Sequence, residues 1–435
     1  MAFSSYSLLD LCSKIVDNRG KTCPVGPEGR PLIATNCVKS AYLYPRYETV
    51  RFVAEDTYKT WFRGHPEPGD LIFVVKGSPG EVCLAPDPVD FCIAQDMVAL
   101  RPNPRRVYPR YLFALLRSHE VRNQIGNMHV GSLIPHFKKG DFDKLEFQLP
   151  NSNIQRYIGD LYVEFSMRID VLAKSNGMLE DIARTIFKSW FVDFDPVRAK
   201  AEGREPEGMD AATADLFPCG FADSQLGAIP DGWGTTPLYG IADFSNGAAY
   251  KNIHFSPTDK GLPVIKIAEL KAGVTASTRF TEVDLGERYR IEQDETLFSW
   301  SGNPDTSIDT FIWDGGPAWL NQHIFRVRES GTLPRAVIYF QMKRLRPIFA
   351  EIARDKQTTG LGHVTVADMK RLVVCLPSPD VVERFDEIAS PILRKIALNQ
   401  VESRALALIR DTLLPRLISG KLRVPEAEKL VEAVL

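Results

Sequence analysis

The side chains with the clearest chemistry in this 435-residue sequence are those that hold a phosphate or read a base edge. Bases are read by Arg, Lys, Asn and Gln through paired hydrogen bonds, and phosphates are held by Lys, Arg, hydroxyls and backbone N–H groups. Lys76 and Ser78 lie in a glycine-bearing stretch that runs to Gly80, and Ser301 and Asn303 flank Gly302. Both stretches follow an apolar run. A tight turn at either could bring backbone close to a phosphate or base, or simply reverse a hairpin. Gln95 and Gln322 each stand before a strand-like run and suit base reading or a structural bond to backbone. His136 is followed by Lys138 and Lys139, which favours a phosphate contact. His363 has Thr365 and Val366 at the matching places, and an ordinary surface histidine is the plainer account of both. Arg101, Arg105, Arg106 and Arg110 fall close together, kept extended by Pro102, Pro104 and Pro109. They could neutralise phosphates or face solvent, as could Lys343, Arg344 and Arg346.

Bond-making chemistry has no comparable support. There is no Gly-x-x-x-x-Gly-Lys-Ser/Thr phosphate loop and no Gly-x-Gly-x-x-Gly. Asn303-Pro304-Asp305 is not the Asn-Pro-Pro-aromatic tetrad with which an amino-methyltransferase holds a flipped base. No paired-carboxylate nuclease constellation stands out. The seven cysteines form no Cys-x2-Cys pair, which argues against a zinc site or disulfide framework and for reduced thiols. The expectation is a chain without catalytic, cofactor-binding or metal-binding residues. With 44% hydrophobic and 25% charged residues the sequence is globular. A net charge of -2 lowers the prior for nucleic acid but does not remove it, because a phosphate meets the local field. No apolar run approaches the roughly 20 residues of a membrane helix, and no secretory leader is evident. A cytoplasmic protein without membrane attachment is expected.

The elements that must position these residues come twice. A constant shift of 227 residues places Gln95 on Gln322, Phe113 on Phe340, Arg117 on Arg344, His136 on His363, Asp141 on Asp368 and Leu149-Pro150 on Leu376-Pro377. Upstream the match continues with changing shifts, as loops of different length require. Short apolar runs such as 70–75, 262–267 and 324–328, punctuated by Gly and Pro, predict strands. Tyr111–Val121 and Ala336–Arg346 predict a short helix in each copy.

After each Leu-Pro comes a helical stripe: Leu161, Phe165, Ile169, Leu172, Leu179, Ile182, Ile186 and Trp190, then Ile388, Ile392, Ile396, Asn399, Leu406, Ile409, Leu413 and Leu417. Steps of three, four and seven suit a helix with one face in a long seam. From Ile154 to Trp190 such a helix would span roughly 56 Å, and the other copy's helix is the natural partner. Spacing alone leaves parallel and antiparallel pairing open. Ser175-Asn176-Gly177, Pro391 and Pro415 leave the continuity of each helix open to a kink or break. Trp190, Phe191 and Phe194 read as core or subunit contact rather than a stacking platform for bases. The stretch 195–234, rich in Pro, Gly and Ala, reads as a linker or extended connector.

The segment Phe187-Lys-Ser-Trp-Phe-Val-Asp-Phe-Asp-Pro-Val-Arg-Ala-Lys200, with Gly208-Met209, Leu216-Phe-Pro218 and Ile229-Pro-Asp-Gly-Trp233, closely resembles the central region of type I restriction-modification specificity subunits. Leu413-Leu-Pro-Arg-Leu-Ile-Ser-Gly-Lys421 resembles the matching terminal segment. The resemblance covers nearly the whole chain in layout and is strong at residue level only in these segments. It implies an α+β fold. A first target-recognition domain over 1–150 is followed by a helical spacer at 151–194 and the connector at 195–234. A second recognition domain over 235–377 is followed by a spacer at 378–425 and a tail at 426–435. The two spacers would pack as an antiparallel coiled coil. It further implies double-stranded DNA as ligand and two modification subunits as partners, each binding S-adenosylmethionine and methylating adenine. Up to two restriction subunits would use ATP and Mg. A two-headed protein scaffold, a fused DNA-modifying enzyme and a lone DNA-binding regulator are the rival readings.

Overall fold

Each apolar run expected as a strand takes its place in one of two heads built on one plan. The computed structural model of the chain describes residues 5–18, 20, 22–47, 50–128, 135–357 and 361–432. The elements that matter are β1 (Ser5–Ser7), β2 (Cys12–Val16), β3 (Leu71–Val74), β4 (Val82–Leu84), β5 (Met97–Pro102) and β6 (Glu146–Gln148), then the long helix α1 (Ser152–Lys188). The second half repeats them as β7 (Gly234–Pro237), β8 (Ala242–Asn246), β9 (Thr296–Ser299), β10 (Asp309–Ile312), β11 (Ile324–Glu329) and β12 (Val373–Leu376), then α2 (Pro379–Ile418).

The main sheet has the order β2-β5-β3-β4 in the first head and β8-β11-β9-β10 in the second. β3 and β9 are buried along their whole length, as a strand covered on both faces requires. A smaller sheet in each head contains one parallel pairing, Leu32 with Cys92 and Val264 with Trp319, so both heads are mixed. A short ribbon closes each head, β1 on β6 and β7 on β12, immediately before the long helix. The short helices expected in each copy run from Pro109 to Leu116 and from Arg335 to Arg344.

The chain divides into two units, residues 1–172 with 403–435 and residues 173–402. Each long helix gives one half to either unit. In the first unit Phe165 and Leu172 pack with Leu406, flanked by Leu161, Ile169 and Ile409. Arg410 donates to the Ser166 hydroxyl and lies over the Tyr162 ring. In the second unit the Asn399 amide donates to Asn176 at 2.8 Å, Asn176 donates to the Ile396 carbonyl at 3.3 Å, and the rings of Phe187 and Phe385 meet edge to face. Rising numbers on α1 meet falling numbers on α2 within each unit, so the paired segments are antiparallel.

The expected seam residues Leu161, Phe165, Ile169, Leu172, Leu179, Ile186 and Trp190, and Ile388, Ile392, Ile396, Leu406, Ile409, Leu413 and Leu417, all belong to these cores. Asn399 is buried as well. Ile182 is a correction: it is 50% exposed, while its neighbour Ala183 is wholly buried. One residue turns a helix by about 100°, and Leu179, Ala183, Phe187 and Trp190 keep the stripe. Helix continuity, which the sequence left open at these places, is kept: α1 runs through Ser175–Gly177 and α2 through Pro391 and Pro415. Asn176 finds its partner in the buried Asn399. Packing on either side of each proline offsets its cost of about 3 kcal/mol.

The stretch read as a linker is folded. It forms helices Asp195–Ala201 and Ala211–Asp215 and a hairpin of Phe221–Ser224 with Gly227–Pro230. Phe194, Val197, Phe217, Ile229 and Trp233 enter the core of the second unit together with Trp190 and Phe191. At the other end of the chain Leu413, Leu414, Leu417, Leu422 and Ala427 enter the core of the first unit. Of the tail expected over 426–435, residues 433–435 lie outside the described residues.

One glycine fixes how closely α1 approaches the first head. A Cβ on Gly159 would stand 2.5 Å from the Tyr111 nitrogen and 2.8 Å from the Arg110 carbonyl carbon. Gly159→Ala must push the helix away from backbone, and we expect a loss of about 1–3 kcal/mol, read as a lower melting temperature of the first head.

Candidate nucleic-acid interface

The strand register sorts the polar candidates by which end of the main sheet they occupy. In the first head β3 runs out past Val74 into Lys76, which forms a β-bridge with His136. Two backbone bonds flank the bridge: Phe137 N–H to the Val75 carbonyl at 2.7 Å and Gly77 N–H to the Pro135 carbonyl at 3.0 Å. The turn carrying Gln95 closes on the same place, because the Asp96 carbonyl accepts from the N–H groups of Val75 and Lys76. The Lys76 ammonium stands 3.7 Å from the Asp96 carboxylate. The Gln95 amide reaches the Thr22 hydroxyl at 3.4 Å. Ser78 lies exposed in the turn that joins β3 to β4, closed by the Gly80 N–H on the Val74 carbonyl. Lys76, Ser78, Gln95 and His136 are thus brought to one end of one sheet. Lys138 and Lys139 follow on an exposed 3-10 turn anchored by Asp141, which accepts from the Lys138 N–H.

The second head repeats this frame. Ser301 pairs with His363 and Gly302 with Gly362. Val364 N–H donates to the Trp300 carbonyl, and Trp300 N–H to the His323 carbonyl, matching the bonds of Phe137 and Val75. Gly302 sits at φ 118°, and a Cβ there would meet Ser307 at 2.7 Å, so the turn needs glycine. Asn303 is a turn residue whose Oδ1 accepts from the N–H groups of Asp305 and Thr306. Gln322 lies beside His323, their Nε2 atoms 3.2 Å apart. Burial pushes the His323 imidazole below its ordinary pKa, which keeps the ring neutral near pH 7. The segment after His363 is pinned by Asp368. Burial would raise this carboxyl, but Lys356 and the hydroxyl and N–H of Thr365 outweigh it and hold the pKa at about 2.

The arginine cluster occupies the opposite end. Arg101 makes a two-pronged bond to Asp70, 2.9 Å at both contacts, and reaches Glu67 at 2.8 Å. Asp70 is 2% exposed. The repeat keeps the pair, since Arg328 meets Glu295 at the equivalent place in the second head. Arg106 pairs with Asp10 and Arg110 with Asp160 on α1. Arg105 is exposed. Arg101 therefore has a structural task within reach of its whole guanidinium. Replacing Asp70 with Ala leaves that cation without its buried partner and is expected to destabilise the first head by about 2–4 kcal/mol. Thermal denaturation reads the loss, while the salt dependence of DNA binding should not move.

Sequence reasoning missed three residues at the sheet end of the second head: Asn246, Trp300 and His323. The indole N–H of Trp300 donates to the Asn246 side chain at 3.2 Å, and its ring lies 5.4 Å from that of His323. The available signal was the repeat itself, which sets Trp300 where the first copy has the buried Val75. Among the described residues no cluster of His, Cys, Asp and Glu could hold a metal ion, and no helix is long and apolar enough to cross a membrane. The cysteines are free thiols.

Comparison with known proteins agrees with this layout. Residues 40–180 match the family described as the type I restriction modification DNA specificity domain. The chain is similar to the specificity subunit of type I restriction enzyme HindI from Haemophilus influenzae, at 23% identity over 401 residues, 81% of this chain and 86% of that one. It is similar to the MjaIX specificity subunit of Methanocaldococcus jannaschii, at 26% identity over 349 residues and 76% of each chain. In fold it resembles the crystal structure of a type I restriction-modification S subunit from M. genitalium, with a TM-score of 0.53 at 16% identity, covering 96% of both chains.

Proposed function

We propose that this chain, which belongs to the specificity subunits of type I restriction-modification systems, reads a split DNA target with one half assigned to each head. As a member of that family it is a non-catalytic DNA-binding subunit that directs modification and restriction partners. The observation that carries the split target is the repetition of one backbone frame whose side chains differ at two of four positions, Lys76 against Ser301 and Ser78 against Asn303, while the Gln and His positions are alike. The first head presents Lys76, Ser78, Gln95 and His136, and the second presents Ser301, Asn303, Gln322 and His363. Such a pair suits two different half-sites. Lys138 and Lys139, beside the reading residues, are assigned to phosphates, and Arg105 and Arg106, at the opposite end of the sheet, to a separate phosphate contact that for Arg106 competes with its ion pair to Asp10. Two modification subunits would supply S-adenosylmethionine and methylate adenine, and up to two restriction subunits would use ATP and Mg. The chain would work in the cytoplasm, on double-stranded DNA.

A gel shift with the assembled modification complex tests this reading against a scaffold that ignores DNA sequence. Duplex carrying the target should be retarded at concentrations about a thousandfold below those needed for scrambled duplex. Equal retardation of both would refute it. Replacing Arg105 and Arg106 together with Ala should reduce the slope of log affinity against log salt by roughly 2. An unchanged slope would remove both from the phosphate contacts.

A further inference from the structure

One side chain at the sheet end of the second head is held in a fixed orientation by a neighbour that can only donate. Asn246 is the last residue of β8 and is exposed. The indole Nε1–H of Trp300 meets its side-chain oxygen at 3.2 Å. An indole N–H cannot accept a hydrogen bond, so the atom facing it must be Oδ1 and not Nδ2. The amide is thereby fixed in one of its two flipped states. Trp300 cannot drift to release it. Its backbone N–H donates to the His323 carbonyl at 3.4 Å and its backbone carbonyl accepts from the Val364 N–H at 2.8 Å. Its ring lies 5.4 Å from the His323 imidazole and 6.0 Å from the Phe325 ring.

What remains to face a ligand is defined by subtraction. Oδ1 keeps one lone pair, and Nδ2 keeps two hydrogens, with no other described side chain bonded to them. An acceptor beside a donor on one planar amide matches N6 and N7 of adenine in the major groove, and no other base offers that order. The first head lacks the device. The residue beyond the Val16–Ala99 pair is Asp17, and Val75 takes the place of Trp300. A carboxylate and an alkyl group stand where the second head has an amide and an indole.

We propose that Asn246 reads an adenine in the half-site of the second head, and that Trp300 is the positioning residue that orients its amide. This rests on the reading of the heads as base readers. The test uses the full chain assembled with its modification partner, carrying Trp300→Phe, Asn246→Ala or both. Affinity is measured on the target duplex and on duplexes in which each base pair of the second half-site is replaced in turn. Trp300→Phe keeps an aromatic side chain and removes the donor together with part of the indole's packing volume. It should weaken target binding by roughly tenfold and lower discrimination by a similar factor at one A·T pair. Discrimination elsewhere should not change, and a melting temperature measured alongside reads the lost packing separately. Asn246→Ala, on an exposed residue, should lose discrimination at the same pair. The double variant should be no worse than Asn246→Ala, because the indole acts through the amide. Losses at different positions, equal losses at every position, or no loss with Asn246→Ala would overturn the proposal. If the unaltered complex itself showed no base preference in that half-site, the broader reading would fall and take this one with it. A preference that survives Asn246→Ala defeats this proposal alone.

Discussion

A chain cut after residue 412 is expected to lose its first head and keep its second. Leu413, Leu414, Leu417 and Leu422 lie at the far end of the sequence, yet they are buried with Phe73, Tyr111, Phe113 and Ile158 in one core. Each buried leucine is worth about 2–5 kcal/mol when truncated. Four of them together match or exceed the whole stability of an ordinary domain, about 5–15 kcal/mol. The second unit ends at Glu402 and holds none of the removed residues. Calorimetry of the shortened chain should show one transition in place of two, and limited proteolysis should degrade residues before 150 first. Survival of both transitions would mean that the terminal segment is not part of the first core.

The second large effect is expected at Phe385. This wholly buried ring on α2 meets Phe187 at the end of α1, Trp190 and Phe191 in the turn of helix that follows it, and Phe340 from the short helix of the second head. Two separate pieces of chain converge on this side chain of α2, so no single neighbour can collapse into the space it leaves. Phe385→Ala should cost about 3–5 kcal/mol. For a unit of this size that lowers the melting temperature of the second head by roughly 6–20 °C. The transition of the first head should stay in place. Phe385→Leu should recover more than half of the loss, because most of the apolar volume returns. A shift in both transitions would show that the ring supports more than its own unit.

How much of this was legible in the sequence follows from the range of the forces involved. The repeat, the apolar strands at 70–75 and 324–328 of the two main sheets and the long helices announce themselves through local periodicity, whereas the outer strands of those sheets do not. Nearly all of the seam is announced in the same way. Ile182 misled because hydropathy favours a large side chain over the small Ala183 beside it, while the helix register favours the latter. Continuity at Pro391, Pro415 and Ser175–Gly177 could not be read locally, because poor local propensity there is overridden by long-range packing. The folded connector was hidden by its Pro and Gly content, although Phe194, Phe217 and Trp233 within it are the residues that anchor it. Which head receives the last turns of each helix is a contact between distant residues and leaves no mark in spacing. At the interface the pairs of Lys76 with His136 and Ser301 with His363 were each half visible, as equivalent residues in two copies. The amide of Asn246 was not, because its meaning comes from Trp300, 54 residues away.

Sequencing methylated adenines in DNA treated with the assembled methyltransferase complex tests whether each head selects its own half-site, as proposed. Two short, unlike motifs should emerge, one modified base in each, parted by a constant run of positions without preference. A single unbroken motif, or methylation scattered without any consensus, would contradict the assignment of one half-site to each head.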